Sequence, residues 1–332
     1  MRHKLDELRQ RSNAYPNIVF YCYKVNIHSV INEHEMKRLH HSISSLREFN
    51  NEILVYLFCD DPSVIPPHFS TDLSVKVVPF VEGFDHNHRF IHRWCQLTYF
   101  KEDYNILYCD SDVIFYDDVQ EIFDTYCTSD VYGRAERGFR HDAQVGNGGK
   151  IRQQLDLIDI GMYDLGGRSP IYKYCVGVLL LNNSIHKGIA DSMDYMIEIM
   201  DKLTTNQIPT PIPNRRIVDE YAMWVILSRL KASSGLFGPQ DVSMGYPEQK
   251  HEEYFNPVIL HYTTKYEQDF AKANPKYSDL IRDKDQQAEM IDPWSTHTYD
   301  LDSSSHFSQE MLEVFAEDGV TSAPNLDIDW DD

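Results

Sequence analysis

The sequence lacks any run approaching the roughly 18 consecutive apolar residues that a bilayer-spanning helix needs; apolar stretches such as 53–59 and 176–181 are strand-sized. It opens on charged and polar residues, Met1-Arg-His-Lys-Leu-Asp-Glu, with no apolar segment of signal-peptide length behind them. A soluble, cytoplasmic protein is therefore expected. No C-x-x-C spacing occurs: Cys22, Cys59, Cys95, Cys109, Cys127 and Cys175 lie far apart, mostly inside apolar runs, and a chain of 332 residues needs no disulfide staples. These six read as buried, reduced thiols. Basic residues are also scarce, 31 Lys and Arg against 52 Asp and Glu, giving a net charge of −21. Such a surface repels phosphate backbones and argues against a nucleic-acid partner. Nearly half of that charge sits in residues 300–332, where ten acidic side chains meet no Lys or Arg. The remaining body is only mildly acidic and can carry a local cationic pocket.

What is present is ordinary globular composition, 42% apolar and 25% charged. Short apolar runs at 18–23, 53–59, 74–80 and 105–109 read as strands. Between them, 33–49 carries Met36, Leu39, Ile43, Leu46 and Phe49 at helical spacing, and 88–100 does so through Ile91, Trp94, Cys95 and Leu97. Strands buried on both faces and alternating with helices predict an α/β fold, a mostly parallel sheet covered by helices on both sides. From 133 to 170 the pattern fades into Gly, Arg, Asn and Gln, which reads as a long loop-bearing excursion. Regularity returns with a strand at 174–181, helices at 185–203 and 218–230, a last strand at 258–261 and a polar, helix-prone segment after it. One catalytic domain over 14–285 is expected, followed by a partly disordered acidic tail over 286–332 with one short helix at 309–315.

The chemistry concentrates in Ile106-Leu-Tyr-Cys-Asp110-Ser111-Asp112-Val-Ile-Phe, where an apolar strand runs into two aspartates one residue apart and a second apolar run begins. Open parallel sheets bind ligands beyond the carboxyl ends of their strands, where these side chains would stand. Two carboxylates pointing the same way suit a hard cation, Mn²⁺ or Mg²⁺, which completes its shell with phosphate oxygens. A diphosphate substrate is expected. A second Asp-x-Asp, Asp327-Ile-Asp329, belongs to the acidic tail. His86, His88 and His92 lack the cysteine or carboxylate company of a zinc site.

This strand–Asp-x-Asp–strand arrangement resembles the metal motif of GT-A fold, nucleotide-sugar-dependent glycosyltransferases, in particular the glycogenin-like retaining branch. The likeness covers residues 17 to about 270, and further matches follow in order. Tyr174-Cys-Val-Gly177-Val-Leu-Leu-Leu-Asn182-Asn183 is similar to the strand lining the sugar site, although Cys175-Val176-Gly177 stands where that branch has Asn-Ser-Gly. Val218-Asp219-Glu220 is similar to the acidic start of the helix facing the sugar, and Val258-Ile-Leu-His261 to the late strand that supplies a third metal ligand. The resemblance implies a GT-A sheet, a metal held by Asp110, Asp112 and His261, and catalytic roles for Asp219, Glu220 and Asn182. It also implies donor contacts from Ser111, Gly177 and Lys265. Arg89 and Arg93, on the helix leading into the motif, are candidates for phosphate or sugar contacts, and Tyr23 and Asp60 stand where a carboxyl-edge nucleotide could lie.

The activity implied is transfer of a sugar from a nucleotide-diphosphate sugar, a UDP-sugar first, to a glycan, lipid-linked or protein acceptor hydroxyl. Two other readings remain open. A sugar-nucleotide nucleotidyltransferase would want a glycine-rich basic loop after the first strand, where this chain has Tyr23-Lys-Val-Asn-Ile-His-Ser. A non-catalytic nucleotide- or carbohydrate-binding module holding Ca²⁺ would want more oxygen ligands than two aspartates and a histidine supply.

Overall fold

The structure is a computed structural model that describes residues 15–25, 29–84, 91–135, 174–204, 218–238, 240–244 and 257–281. The excursion over 136–173 and the tail over 286–332 lie outside the described residues.

Strands β1 (Asn17–Tyr23), β2 (Leu54–Cys59), β3 (Val75–Pro79), β4 (Asn105–Cys109), β6 (Val131–Ala135), β7 (Tyr174–Leu181) and β8 (Ser234–Leu236) form one sheet in the order β3-β2-β1-β4-β7-β6-β8. Neighbours run parallel except β7, which is antiparallel to both β4 and β6. The expected α/β architecture with a mixed, mostly parallel sheet is therefore observed. β1 is central and buried on both faces, and its residues alternate between two cores. Ile18 and Phe20 pack with Trp94 and with Met196 and Trp224, whereas Val19 and Tyr21 pack with Leu39, Ile43 and Leu46.

Those last three belong to α1 (Ser29–Phe49), which covers one face. Its final turn is fastened by Arg47, whose guanidinium donates to the carbonyls of Leu73, Asn50, Ile53 and Ser74 at 2.7–3.2 Å. The opposite face is covered by α3 (Ile91–Cys95), α6 (Met193–Thr204) and α7 (Val218–Arg229). Helix α7 has no polar face beyond its first turn, and Tyr221 through Leu227 are all buried, as befits a helix enclosed on every side.

Elements differ from their expected forms where local chemistry intervenes. The helix expected over 185–203 is two, α5 (Ile185–Asp191) and α6, because the Ser192 N–H turns to the Ile189 carbonyl at 3.0 Å while its hydroxyl takes the Gly188 carbonyl at 2.8 Å, ending the last turn of α5. The helix expected over 88–100 is α3 followed by a 3₁₀ turn, Gln96–Tyr99, and residues 88–90 lie outside the described set. Three short strands went unread in the sequence: β6, β8 and β9 (Val242–Met244). The short helices α2 (His68–Thr71) and α4 (Gln120–Thr125) fill connections.

A second, three-stranded sheet, β5-β10-β9, combines β5 (Val113–Phe115), β9 and β10 (Ile259–His261). One face of it, Val113, Phe115 and Ile259, joins the α1 core; the other, Ile114 and Leu260, packs under α8 (Thr263–Ala273) with Tyr262 and Phe270. Among the described residues, no helix is long and apolar enough to cross a membrane.

Candidate metal and donor site

The chain leaves the large sheet at Asp110 and enters the small one at Val113, so Asp110, Ser111 and Asp112 form the seam between them. Two backbone bonds fix this seam. Asp110 N–H donates to the Gly177 carbonyl at 2.8 Å, and Tyr262 N–H donates to the Asp112 carbonyl at 3.1 Å. Antiparallel pairing of β5 with β10 sets His261 opposite Val113. The imidazole Nε2 consequently lies 3.0 Å from Oδ1 of Asp112. One ligand atom from each of Asp110, Asp112 and His261 falls within 4.8 Å of the others.

Gly177 makes room for this cluster. A Cβ at that position would lie 2.2 Å from His261 Cε1. The sequence resemblance places Gly177 at the donor; in the structure the close approach it permits is that of the histidine ring. Cys175 Sγ stands 3.9 Å from Nδ1 on the ring's other edge.

The electrostatics suit a cation. Burial of Asp112 opposes its ionisation, but His261, and Arg38 further off, outweigh burial and hold its carboxyl at about 2. Burial works against protonation of His261, and the Asp112 carboxylate overcomes it, lifting the imidazole above its ordinary value. Each group thus favours the charged form of the other, and a divalent ion held by these residues would displace the imidazole proton. Two carboxylates and one imidazole match the oxygen-rich, mixed donor set of Mn²⁺ or Mg²⁺, and fall short of the six to eight oxygens that Ca²⁺ prefers.

A buried arginine faces the same acids. Arg93 in α3 holds Asp110 Oδ1 at 3.0 Å through Nη1 and Asp219 Oδ2 at 3.3 Å through Nη2. Its guanidinium also lies 3.3 Å from the Tyr108 hydroxyl, which donates to Asp110. Burial pushes the Asp219 carboxyl up, and Arg93 only partly offsets this. Glu220, beside it in the first turn of α7, accepts from Val176 N–H at 3.4 Å through Oε1.

The structure therefore brings Arg93, Asp110, Ser111, Asp112, Gly177, Asp219, Glu220 and His261 to one neighbourhood. Tyr23 and Asp60 end β1 and β2 at the same carboxyl edge; the Asp60 carboxylate accepts from Val25 N–H at 2.8 Å, so it shapes the β1 exit. Asn182 is not part of the cluster. It follows β7 at the end opposite Gly177, beside the start of β4, because the two strands are antiparallel. There it is buried, and its amide donates to the carbonyls of Tyr126 at 2.6 Å and Ser129 at 3.0 Å, a structural tie that replaces the expected catalytic role. Arg89 lies outside the described residues, and Lys265 sits in α8 with its side chain outside them.

Sequence reasoning missed Tyr108, although its position two residues before Asp110 places both on one side of the strand. It also missed Glu35, Arg38 and Glu267. Glu35 accepts from the Ser111 hydroxyl, and Arg38 joins Glu35 to Glu267.

No protein-family model matches the chain, and no curated protein does. Among solved structures, it is similar to the glycosyltransferase GlyE of Streptococcus pneumoniae TIGR4, at 17% identity over 76% of this chain and 55% of that one, with a TM-score of 0.44. It is also similar to the apo bifunctional glycosyltransferase WbbM (10% identity, 80% and 51% covered, TM-score 0.48) and to an active-site mutant of LgtC (12%, 82% and 100%, 0.47). The chain thus spans about half the length of GlyE and of WbbM. What it can do is decided by its own residues.

Proposed function

We propose that the protein is a metal-dependent glycosyltransferase of the GT-A type, moving a sugar from a nucleotide-diphosphate sugar, a UDP-sugar first, to an acceptor hydroxyl with retention of configuration. The observation that carries this reading is the convergence of Asp110, Asp112 and His261 within 4.8 Å at a strand's carboxyl end, beside a buried Arg93 and Asp219. A bound Mn²⁺ or Mg²⁺ would neutralise the charge that builds on the diphosphate as the anomeric C–O bond breaks. Asp110, Asp112 and His261 would hold that ion. Arg93 fixes the directions of the Asp110 and Asp219 carboxylates by ion pairing both. Asp219 and Glu220 then stand where sugar hydroxyls would be gripped, with Asp219 buried and paired to Arg93.

Ser111, Tyr23, Asp60 and Gly177 border the edge where the nucleotide would lie, and Lys265 and Arg89 remain candidates for its phosphates. The acceptor, whether glycan, lipid-linked or protein, belongs to the surface around this edge. The six free cysteines support a reducing compartment such as the cytoplasm. Titration of UDP with and without Mn²⁺, followed by assay of UDP-sugar hydrolysis, tests the reading. Mn²⁺-dependent UDP binding and turnover are expected, both lost in Asp112→Asn; Mn²⁺-independent turnover in that variant would refute it.

A further inference from the structure

We propose that Glu35 is a positioning residue for the loop carrying Asp110 and Asp112, clamped by a buried guanidinium that links it to the segment following His261. The inference rests on the cation-binding reading above. Ser111, the residue between the two aspartates, donates its hydroxyl to Glu35 Oε1. Glu35 Oε2 accepts from Arg38 Nη1 at 2.8 Å, one turn along α1. Arg38 turns its other two donors onto Glu267, with Nε on Oε1 and Nη2 on Oε2 at 2.9 Å. His34 Nε2 lies 2.9 Å from the same Oε2. Glu267 belongs to α8, which begins at Thr263, just past His261.

A continuous polar chain, Ser111–Glu35–Arg38–Glu267, therefore joins the two segments that supply the ligands, by a route separate from the direct contact of Asp112 with His261. Arg38 and Glu267 are only 5% and 1% exposed. Burying such a network costs desolvation that its attraction scarcely repays, so stability alone explains it poorly. What it does supply is direction. A fork-on-fork Arg38–Glu267 pair admits one geometry, and it leaves a single guanidinium nitrogen to fix Glu35. Glu35 in turn holds the central residue of the Asp-x-Asp loop, and rotation of that residue would turn both carboxylates. Direct hydrogen-bond partners of metal ligands typically contribute 10- to 100-fold in metal affinity, and Glu35 acts on two ligands through the residue between them.

Mn²⁺ alone is the probe, titrated against the full chain and read as the free-ion signal by electron paramagnetic resonance. Glu35→Ala and Ser111→Ala should each weaken Mn²⁺ binding by about 10- to 100-fold. The double variant should be no weaker than either single, because both delete one contact. Glu35→Gln has one amide oxygen for the two donors, Ser111 and Arg38, so its affinity should fall between wild type and Glu35→Ala. If Glu35→Ala melts early, Glu35→Gln and Ser111→Ala still decide the matter. Wild-type affinity in Glu35→Ala alongside lost affinity in Asp112→Asn overturns the positioning role and leaves the metal site standing. Equal binding by wild type and Asp112→Asn removes the metal site and this role together.

Discussion

The His261 ring fills the space that a side chain on Gly177 would need: a Cβ on residue 177 would lie 2.2 Å from the imidazole Cε1. The ring lies between β7 and the Asp-x-Asp loop, and Asp112 holds its Nε2. Gly177→Ala should push the ring aside, costing about 1–3 kcal/mol in stability as overpacking does. Mn²⁺ affinity should fall further than the loss of stability would suggest. Urea denaturation and Mn²⁺ titration on the same sample check this, and unchanged Mn²⁺ binding would show that His261 is not a ligand.

Asp112→Asn keeps the shape of the side chain and removes its charge. His261 then loses the carboxylate that holds its proton, and the ligand set loses an anion. UDP-sugar hydrolysis in Mn²⁺ should drop by at least about 100-fold, given the several kcal/mol a bound metal supplies. Far-ultraviolet circular dichroism should be unchanged, since the backbone bond from Tyr262 to the Asp112 carbonyl survives.

Arg93→Met leaves two carboxylates, Asp110 and the buried Asp219, without their shared cation. Removing one partner from such a cluster costs about 3–5 kcal/mol. Adding Asp219→Asn should return part of that loss, because the uncompensated charge is then gone. Chemical denaturation of the single and double variants checks the coupling; strictly additive losses would show that the two residues act independently.

Asn182→Ala separates a structural from a catalytic asparagine. Its amide satisfies two carbonyls in the turn after α4, so the variant should lose about 1–3 kcal/mol. Mn²⁺ and UDP affinities should stay at wild-type values. A stable variant with impaired nucleotide binding would restore the catalytic role.

His186 gives a pH dependence with a definite sign. It is buried, its Nε2 is 3.2 Å from the Glu102 carbonyl, and burial holds its pKa below the usual 6.5. Below pH 6.5 the unfolded chain therefore binds a proton that the folded one resists, and stability is lost as pH falls through that window. The contribution is at most about 1.4 kcal/mol per pH unit. The difference between wild type and His186→Gln should shrink on moving from pH 7.5 to 5.5, measured by urea midpoints.

The fold was legible because its central strands are long and apolar on both sides. Residues 18–23, 105–109 and 174–181 emerge within a residue of their expected ends. β8 and β9 are three residues each, and β6 contains Gly133 and Arg134, so no local pattern marks them. The glycine at 133 is required by Tyr174 of the neighbouring strand, whose ring would sit 2.5 Å from a Cβ there. The Asp110–Asp112–His261 group was legible through the strand context on each side of it. Asn182 was misplaced because a residue's neighbourhood to a strand motif does not reveal which end of the strand faces the ligand; antiparallel pairing decides that. Glu35, Arg38 and Glu267 escaped notice because a salt bridge joining the first long helix to the last leaves no local trace.

The passage of the chain from the large sheet to the small one across Asp110, Ser111 and Asp112 gives any ion bound there a mechanical role as well as a chemical one. Metal would act as a clasp between two separately hydrogen-bonded ladders, one contributing Asp110 and the other contributing His261. Amide exchange of β10 should then slow on Mn²⁺ addition while that of β1 and β2 does not, so the short ladder would report occupancy without any turnover.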